Sequence, residues 1–233
     1  MFLPFYFDIR YLLFSLPAVL LALFAQWRVQ SAYRKYSRIR NMRNMSGLET
    51  ARRLLRGNLL GHVSVQGTRG VMSDHYDPRR KVLSLSRGVA ESPSVAALAI
   101  VAHEVGHAVQ DQADYAPLRV RSGLVPVVNL GTWMGMILFF VGILIQASGI
   151  VWLGIIVFSG SVVFALVTLP VERDASRRAL QMLKAAGLVG TTDIQGVQAV
   201  LSAASLTYVA ALAQAVSQLL YFVFLATGMS RRD

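Results

Sequence analysis

The sequence predicts a mainly α-helical membrane protein, with about four transmembrane helices and a small α+β domain at the membrane surface. Three observations predict it. The 233-residue chain is 55% hydrophobic, with a mean hydropathy of +0.50, too apolar for an ordinary soluble domain. Four stretches, residues 4–27, 127–147, 150–169 and 206–227, reach the length of about 20 apolar residues that crosses a bilayer. Between them, residues 28–124 and 170–205 hold the capped and alternating patterns of one modest folded domain.

Residues 1–27 read as an uncleaved anchor, because Asp8 and Arg10 precede the apolar run and no small-residue cleavage site follows it. The next segment carries six basic residues between Arg28 and Arg43, expected to form a solvated, lipid-facing surface. Ser46-Gly47-Leu48-Glu49 has the form of a capping box. It predicts a helix to about Asn58, with Ala51, Leu54 and Leu55 buried, Arg52, Arg53 and Arg56 outward, and Gly61 ending the region. Residues 63–66 and 81–86 alternate and read as strands. Gly67 to Gly70 and Asp77-Pro78 read as turns. Such a sheet offers an edge to which an extended peptide can add. Ser92 reads as an N-cap and Pro93 as the first residue of a helix running to about Gln110.

The second and third apolar stretches are separated only by Ser148-Gly149, which predicts a tight helical hairpin. After Pro170, the acidic pair Glu172 and Asp174 opens a further helix, where a favourable dipole alone would account for both acids. The last stretch is interrupted by Gln214, Ser217 and Gln218. These three turn inward, or the segment lies against the soluble domain. The implied division is 1–27 anchor, 28–124 first domain segment, 125–169 hairpin, 170–205 second domain segment and 206–233 final helix and tail.

Residues 28–124 hold sixteen of the twenty-three basic residues, and the hairpin loop holds none. Lys/Arg bias marks the cytoplasmic side, so both domain segments are expected in the cytoplasm and both termini outside. Arg231 and Arg232 run against the last placement. The net charge of +11 follows from this topology and from attraction to anionic lipid, and no nucleic-acid motif accompanies it. Zero cysteines excludes disulfides and thiolate metal ligands and fits a reducing compartment.

His103-Glu104-Val105-Gly106-His107 is the informative motif. On a helix the two imidazoles share a face, so they can hold one Zn²⁺, with Glu104 placed as general base towards the attacking water. The longer pattern with a third histidine is excluded, because Gln110 and Ala113 stand at its glycine and histidine positions. A third ligand therefore comes from a distant acid, from His62 or from His75. Glu172 is the leading candidate and Asp174 its rival; two membrane crossings return Glu172 to the side of His103. His75 is a candidate oxyanion-stabilising donor in catalysis, with Tyr76 and Tyr208 as alternatives. Asp111 and Asp114 are expected to cap or solvate the end of the helix. The apolar run before His103 is too short to be a span, which argues against cleavage inside the bilayer.

With these residues in place the chain resembles the YugP-like neutral zinc metallopeptidases, bacterial membrane proteins, over nearly its whole length. The resemblance rests on residues 73–78, 82–86 and 102–110, on Pro170-Val171-Glu172 with Asp174-Ala175-Ser176, and on residues 203–210. It implies a multi-pass zinc peptidase with a zincin-like catalytic domain. The wider similarity is to gluzincins, whose E-x-x-x-D pattern pairs a zinc-binding glutamate with an aspartate that orients a histidine. Glu172 fits the first position, whereas Ser176 stands at the second, where it can still accept an imidazole hydrogen bond. The expected protein is a zinc-dependent endopeptidase with one Zn²⁺ per chain, held by His103, His107 and Glu172, acting on a peptide or membrane-protein substrate at the cytoplasmic membrane face. The alternative is a non-catalytic membrane scaffold or adaptor with a structural zinc site.

Overall fold

The computed structural model describes residues 9–229. Residues 4–8 of the first apolar stretch, with Asp8, and Arg231 and Arg232 lie outside the described residues. The elements are α1 (Ile9–Tyr36), α2 (Gly47–Gly57), β1 (Ser64–Thr68), β2 (His75–Asp77), β3 (Val82–Ser86), α3 (Arg87–Ala90), α4 (Val95–Gln112), α5 (Ala116–Leu144), α6 (Ser148–Ala185) and α7 (Thr191–Met229). Four of the helices, α1, α5, α6 and α7, are long and apolar enough to cross a membrane. Contacts divide the chain into two compact units. One comprises residues up to Ala25, Val120–Leu169 and those from Thr207 on; the other comprises Gln26–Arg119 and Pro170–Leu206.

The first unit is built on close backbone approach and aromatic packing. A Cβ at Gly154 of α6 would lie 2.5 Å from the Phe139 nitrogen of α5, and one at Gly142 would lie 2.6 Å from the Val151 nitrogen. Small residues let helices meet this closely where hydrocarbon lipid supplies no hydrophobic drive. Phe139 stacks on Phe222 of α7 at 4.0 Å, and Phe158 meets the same ring edge-on at 5.1 Å. The hairpin turn falls one step earlier than Ser148-Gly149. Gln146 takes φ 58°, and the Ala147 N–H bonds to the Gly142 carbonyl, closing α5 so that Ser148 already begins α6. Of the three polar residues expected to interrupt the last span, Ser217 donates to the Phe14 carbonyl of α1 and Gln214 is exposed.

In the second unit α4 is the hub. From Val95 to Ala102 all but Ile100 are buried, as expected of a helix apolar on every side. Its start is at Ser94, not Ser92. The Ser94 hydroxyl accepts the Ala97 N–H, while the Ser92 and Pro93 carbonyls are taken by the Gly47 and Asn41 N–H groups of the preceding segment. On α2 both reciprocal capping-box bonds form between Ser46 and Glu49, and Ala51, Leu54 and Leu55 face the core.

The sheet has the order β1-β3-β2, with β1 parallel and β2 antiparallel to β3. His75–Asp77, for which the sequence pattern predicts no strand and whose last residue belongs to the expected Asp77-Pro78 turn, form β2, and Asp74 ties them to β3 by accepting the Ser86 N–H at 2.7 Å and the Ser86 hydroxyl at 3.0 Å. As the central strand, β3 is buried on both faces, so its serines need internal partners; Ser84 Oγ accepts from Gln66 Nε2 at 3.1 Å. A second correction concerns α6, which runs through Pro170 without restarting. Glu172 and Asp174 are therefore mid-helix, and a helix N-terminal dipole does not account for them.

Candidate metal centre

Helix α4 brings His103 and His107 onto one face, with ring centroids 4.8 Å apart and nearly perpendicular. Helix α6 crosses at Gly106, where a Cβ would stand 2.6 Å from the Ala175 carbonyl oxygen. That close crossing delivers Glu172 to the histidines. Glu172 Oε2 lies 3.1 Å from His103 Nε2 and 3.5 Å from His107 Nε2. One ligand atom from each of the three residues lies within 4.8 Å of the others. Glu172 is 1% exposed and His107 8%, so the cluster is largely withdrawn from water.

The groups behind the ligands are also in place. His103 Nδ1 lies 3.2 Å from Ser176 Oγ, the contact that the sequence allowed for Ser176. His107 Nδ1 lies 3.0 Å from Gln110 Oε1. The orientation of that amide is fixed, because Gln110 Nε2 donates to the Val171 carbonyl at 2.8 Å and to Asp174 Oδ2 at 2.9 Å. Gln110 Oε1 is thus an acceptor, and His107 Nδ1 donates to it. The Nε2 atoms of both histidines are then the ones turned to Glu172. Two imidazole nitrogens and one carboxylate, each histidine oriented through its other nitrogen, fit Zn²⁺ with three protein donors. Asp174 is not a member of this donor set; it holds Gln110 and pairs with Arg177 and Arg178. Gln110 stands out in the sequence only as a polar residue three positions after His107 in an apolar helix.

Glu104 sits between the histidines in sequence, and its Oε2 accepts the Tyr76 backbone N–H at 3.0 Å. Burial pushes its carboxyl above the ordinary carboxylate range; the charges of His103 and His107 oppose this, the Glu172 charge adds to it, and the Tyr76 amide opposes it. For His107, burial pulls the imidazole down, but the Glu172 hydrogen bond and the charges of Glu104 and Glu172 leave it raised. His75 is exposed on β2, beside Tyr76, with Nδ1 2.9 Å from the Ser73 carbonyl. His62 is exposed on the segment before β1. Asp114 pairs with Arg119 at 2.9 Å. Asp111 does not cap α4; it accepts from Tyr76 Oη and from Lys81 Nζ, each at 2.6 Å.

Residues 11–227 match the model of a family described as "Putative neutral zinc metallopeptidase". The chain is 42% identical over 215 residues to the "Putative membrane protease YugP" of Bacillus subtilis (strain 168), covering 92% of this chain and 96% of that protein. No solved structure matches the chain.

Proposed function

The chain belongs to the neutral zinc metallopeptidase family, and from that premise we propose that it is a membrane-embedded zinc endopeptidase working at the cytoplasmic membrane face. The observation that carries the reading is the convergence of His103, His107 and Glu172 within 4.8 Å, with the Glu104 carboxylate carried on the same turn of α4. Bound there, Zn²⁺ supplies a Lewis acid for the attacking water and the scissile carbonyl. His103 and His107 present Nε2, and Ser176 and Gln110 hold the rings in that orientation. Glu104 takes a proton from the attacking water and passes it to the leaving amine. His75, exposed beside Tyr76, is a candidate donor to the carbonyl oxygen of the substrate. Three protein donors leave a position for water, whereas structural zinc sites are closed by four, and this favours catalysis over a scaffold.

The cytoplasmic placement rests on the basic residues of 28–124. The test is zinc content and peptide turnover of the detergent-purified full chain. Close to one zinc per chain is expected, retained in Glu104→Gln while turnover is lost. A Glu104→Gln protein with full activity would refute the mechanism, and a chain that takes up no zinc on titration would refute the site. Glu172→Ala is expected to loosen the metal; unchanged affinity would move the third ligand elsewhere.

A further inference from the structure

The edge strand β2 touches α4 at two points that share a face. Glu104 and Asp111 are seven residues apart, so they lie two turns and roughly 10 Å from one another along the helix. A single residue bridges them. The Tyr76 N–H donates to Glu104 Oε2 at 3.0 Å, and Tyr76 Oη donates to Asp111 Oδ2 at 2.6 Å. Lys81 Nζ, from the residue just before β3, reaches the same Asp111 oxygen at 2.6 Å and offsets its charge. Tyr76 is buried at 9% exposure. Burial and the Asp111 bond push its phenol far above the ordinary tyrosine range, so it stays a donor. A three-residue strand at the sheet edge, β2 is tied to β3 by its short ladder and by Asp74, and to α4 by the two bonds of Tyr76.

We infer that Asp111 is a positioning residue for Glu104, acting through Tyr76 as a clasp. The phenol bond sets where β2 lies along α4. That placement holds the Tyr76 amide on one carboxylate oxygen of Glu104 and leaves the other for proton transfer. The role of Glu104 rests on the peptidase reading above; the clasp itself does not.

The test uses Tyr76→Phe, which removes only the phenol oxygen, together with Asp111→Ala, which removes the acceptor, and the double variant, all as full-length protein. In Tyr76→Phe, zinc affinity and KM are expected to stay within about twofold of the parent while kcat falls about tenfold. The Tyr76 amide of the metal-free protein is expected to exchange about tenfold faster. The double variant should be no worse than the Asp111 variant alone, since the phenol link is already gone there, along with the Lys81 contact. Parent-like amide exchange or parent-like kcat in Tyr76→Phe overturns the clasp. A loss of zinc affinity in step with kcat overturns it too, because the effect is then structural. If the parent cleaves no peptide, the peptidase reading falls alone and the exchange rate still decides the clasp.

Discussion

Replacing Gly106 with alanine would put a methyl group 2.6 Å from the carbonyl oxygen of Ala175 and 3.2 Å from its carbonyl carbon. Ordinary contact begins at 3.4 Å, so α4 and α6 must separate by roughly 0.8 Å, and neither contact is a side-chain end that can swing away. Overpacking of this kind costs about 1–3 kcal/mol. The separation falls between the histidines and Glu172, whose positions must agree with metal–ligand distances to about 0.2 Å. Where the zinc-loaded state bears the whole cost, the zinc dissociation constant rises about 5- to 150-fold. Chelator competition on purified Gly106→Ala measures this, with the melting temperature of the metal-free protein recording the share taken by stability. Gly57→Ala is the control, since nothing lies within 4 Å of its added Cβ. A Gly106→Ala protein with zinc affinity within twofold of the parent and an unchanged metal-free melting temperature would refute the claim that this crossing sets the ligand geometry.

Three further outcomes follow from the same geometry. Gln110→Leu should weaken zinc about 10- to 100-fold, the usual cost of removing a partner that orients a metal-binding histidine; chelator competition checks it, and parent-like affinity counts against the Gln110–His107 link. Gly154→Ala should lower the melting temperature in detergent, because its Cβ meets the Phe139 backbone at 2.5 Å, while Gly160→Ala, with open space around it, should not. Glu49 is held below its ordinary value by the Ser46 backbone N–H first and the Ser46 hydroxyl second. The unfolded chain therefore binds this proton more readily, so the contribution is present above the ordinary glutamate range of about 4.3 and is lost as pH falls through the lowered value. Melting temperatures between pH 3 and 5 should fall less steeply in Glu49→Gln than in the parent.

The sequence made legible what depends on local spacing. Four positions along one helix are enough to put His103 and His107 on a common face, and the Ser46–Glu49 box is a contract between neighbours. Long apolar runs announce α1, α5, α6 and α7 because length and hydropathy alone decide them. What stayed hidden was settled by partners far away in the chain. Ser92 and Ser94 have equal capping chemistry, and the choice falls to Ser94 because Gly47, the first residue of α2, occupies the Ser92 carbonyl. Asp111 resembles a helix-end solvating acid until Tyr76, thirty-five residues earlier, is folded against it. Gln110 has no motif of its own; its role exists only once α6 supplies the Val171 carbonyl and Asp174. The helix through Pro170 was missed for the opposite reason, since a strong local breaker is overridden where tertiary packing carries the rest of the helix.

The wide interval between the ligands also sets an order of events during biosynthesis. His103 and Glu172 are sixty-nine residues apart, and the α5–α6 hairpin is made in between. A ribosome adding about 5–20 residues per second needs roughly 3–14 s to travel from one to the other. Throughout that time the nascent chain carries His103, Glu104 and His107 without Glu172. The three-residue cluster is thus completed only after α5 and the apolar part of α6 have been synthesised, so a chain stalled or cut before residue 172 lacks its third member.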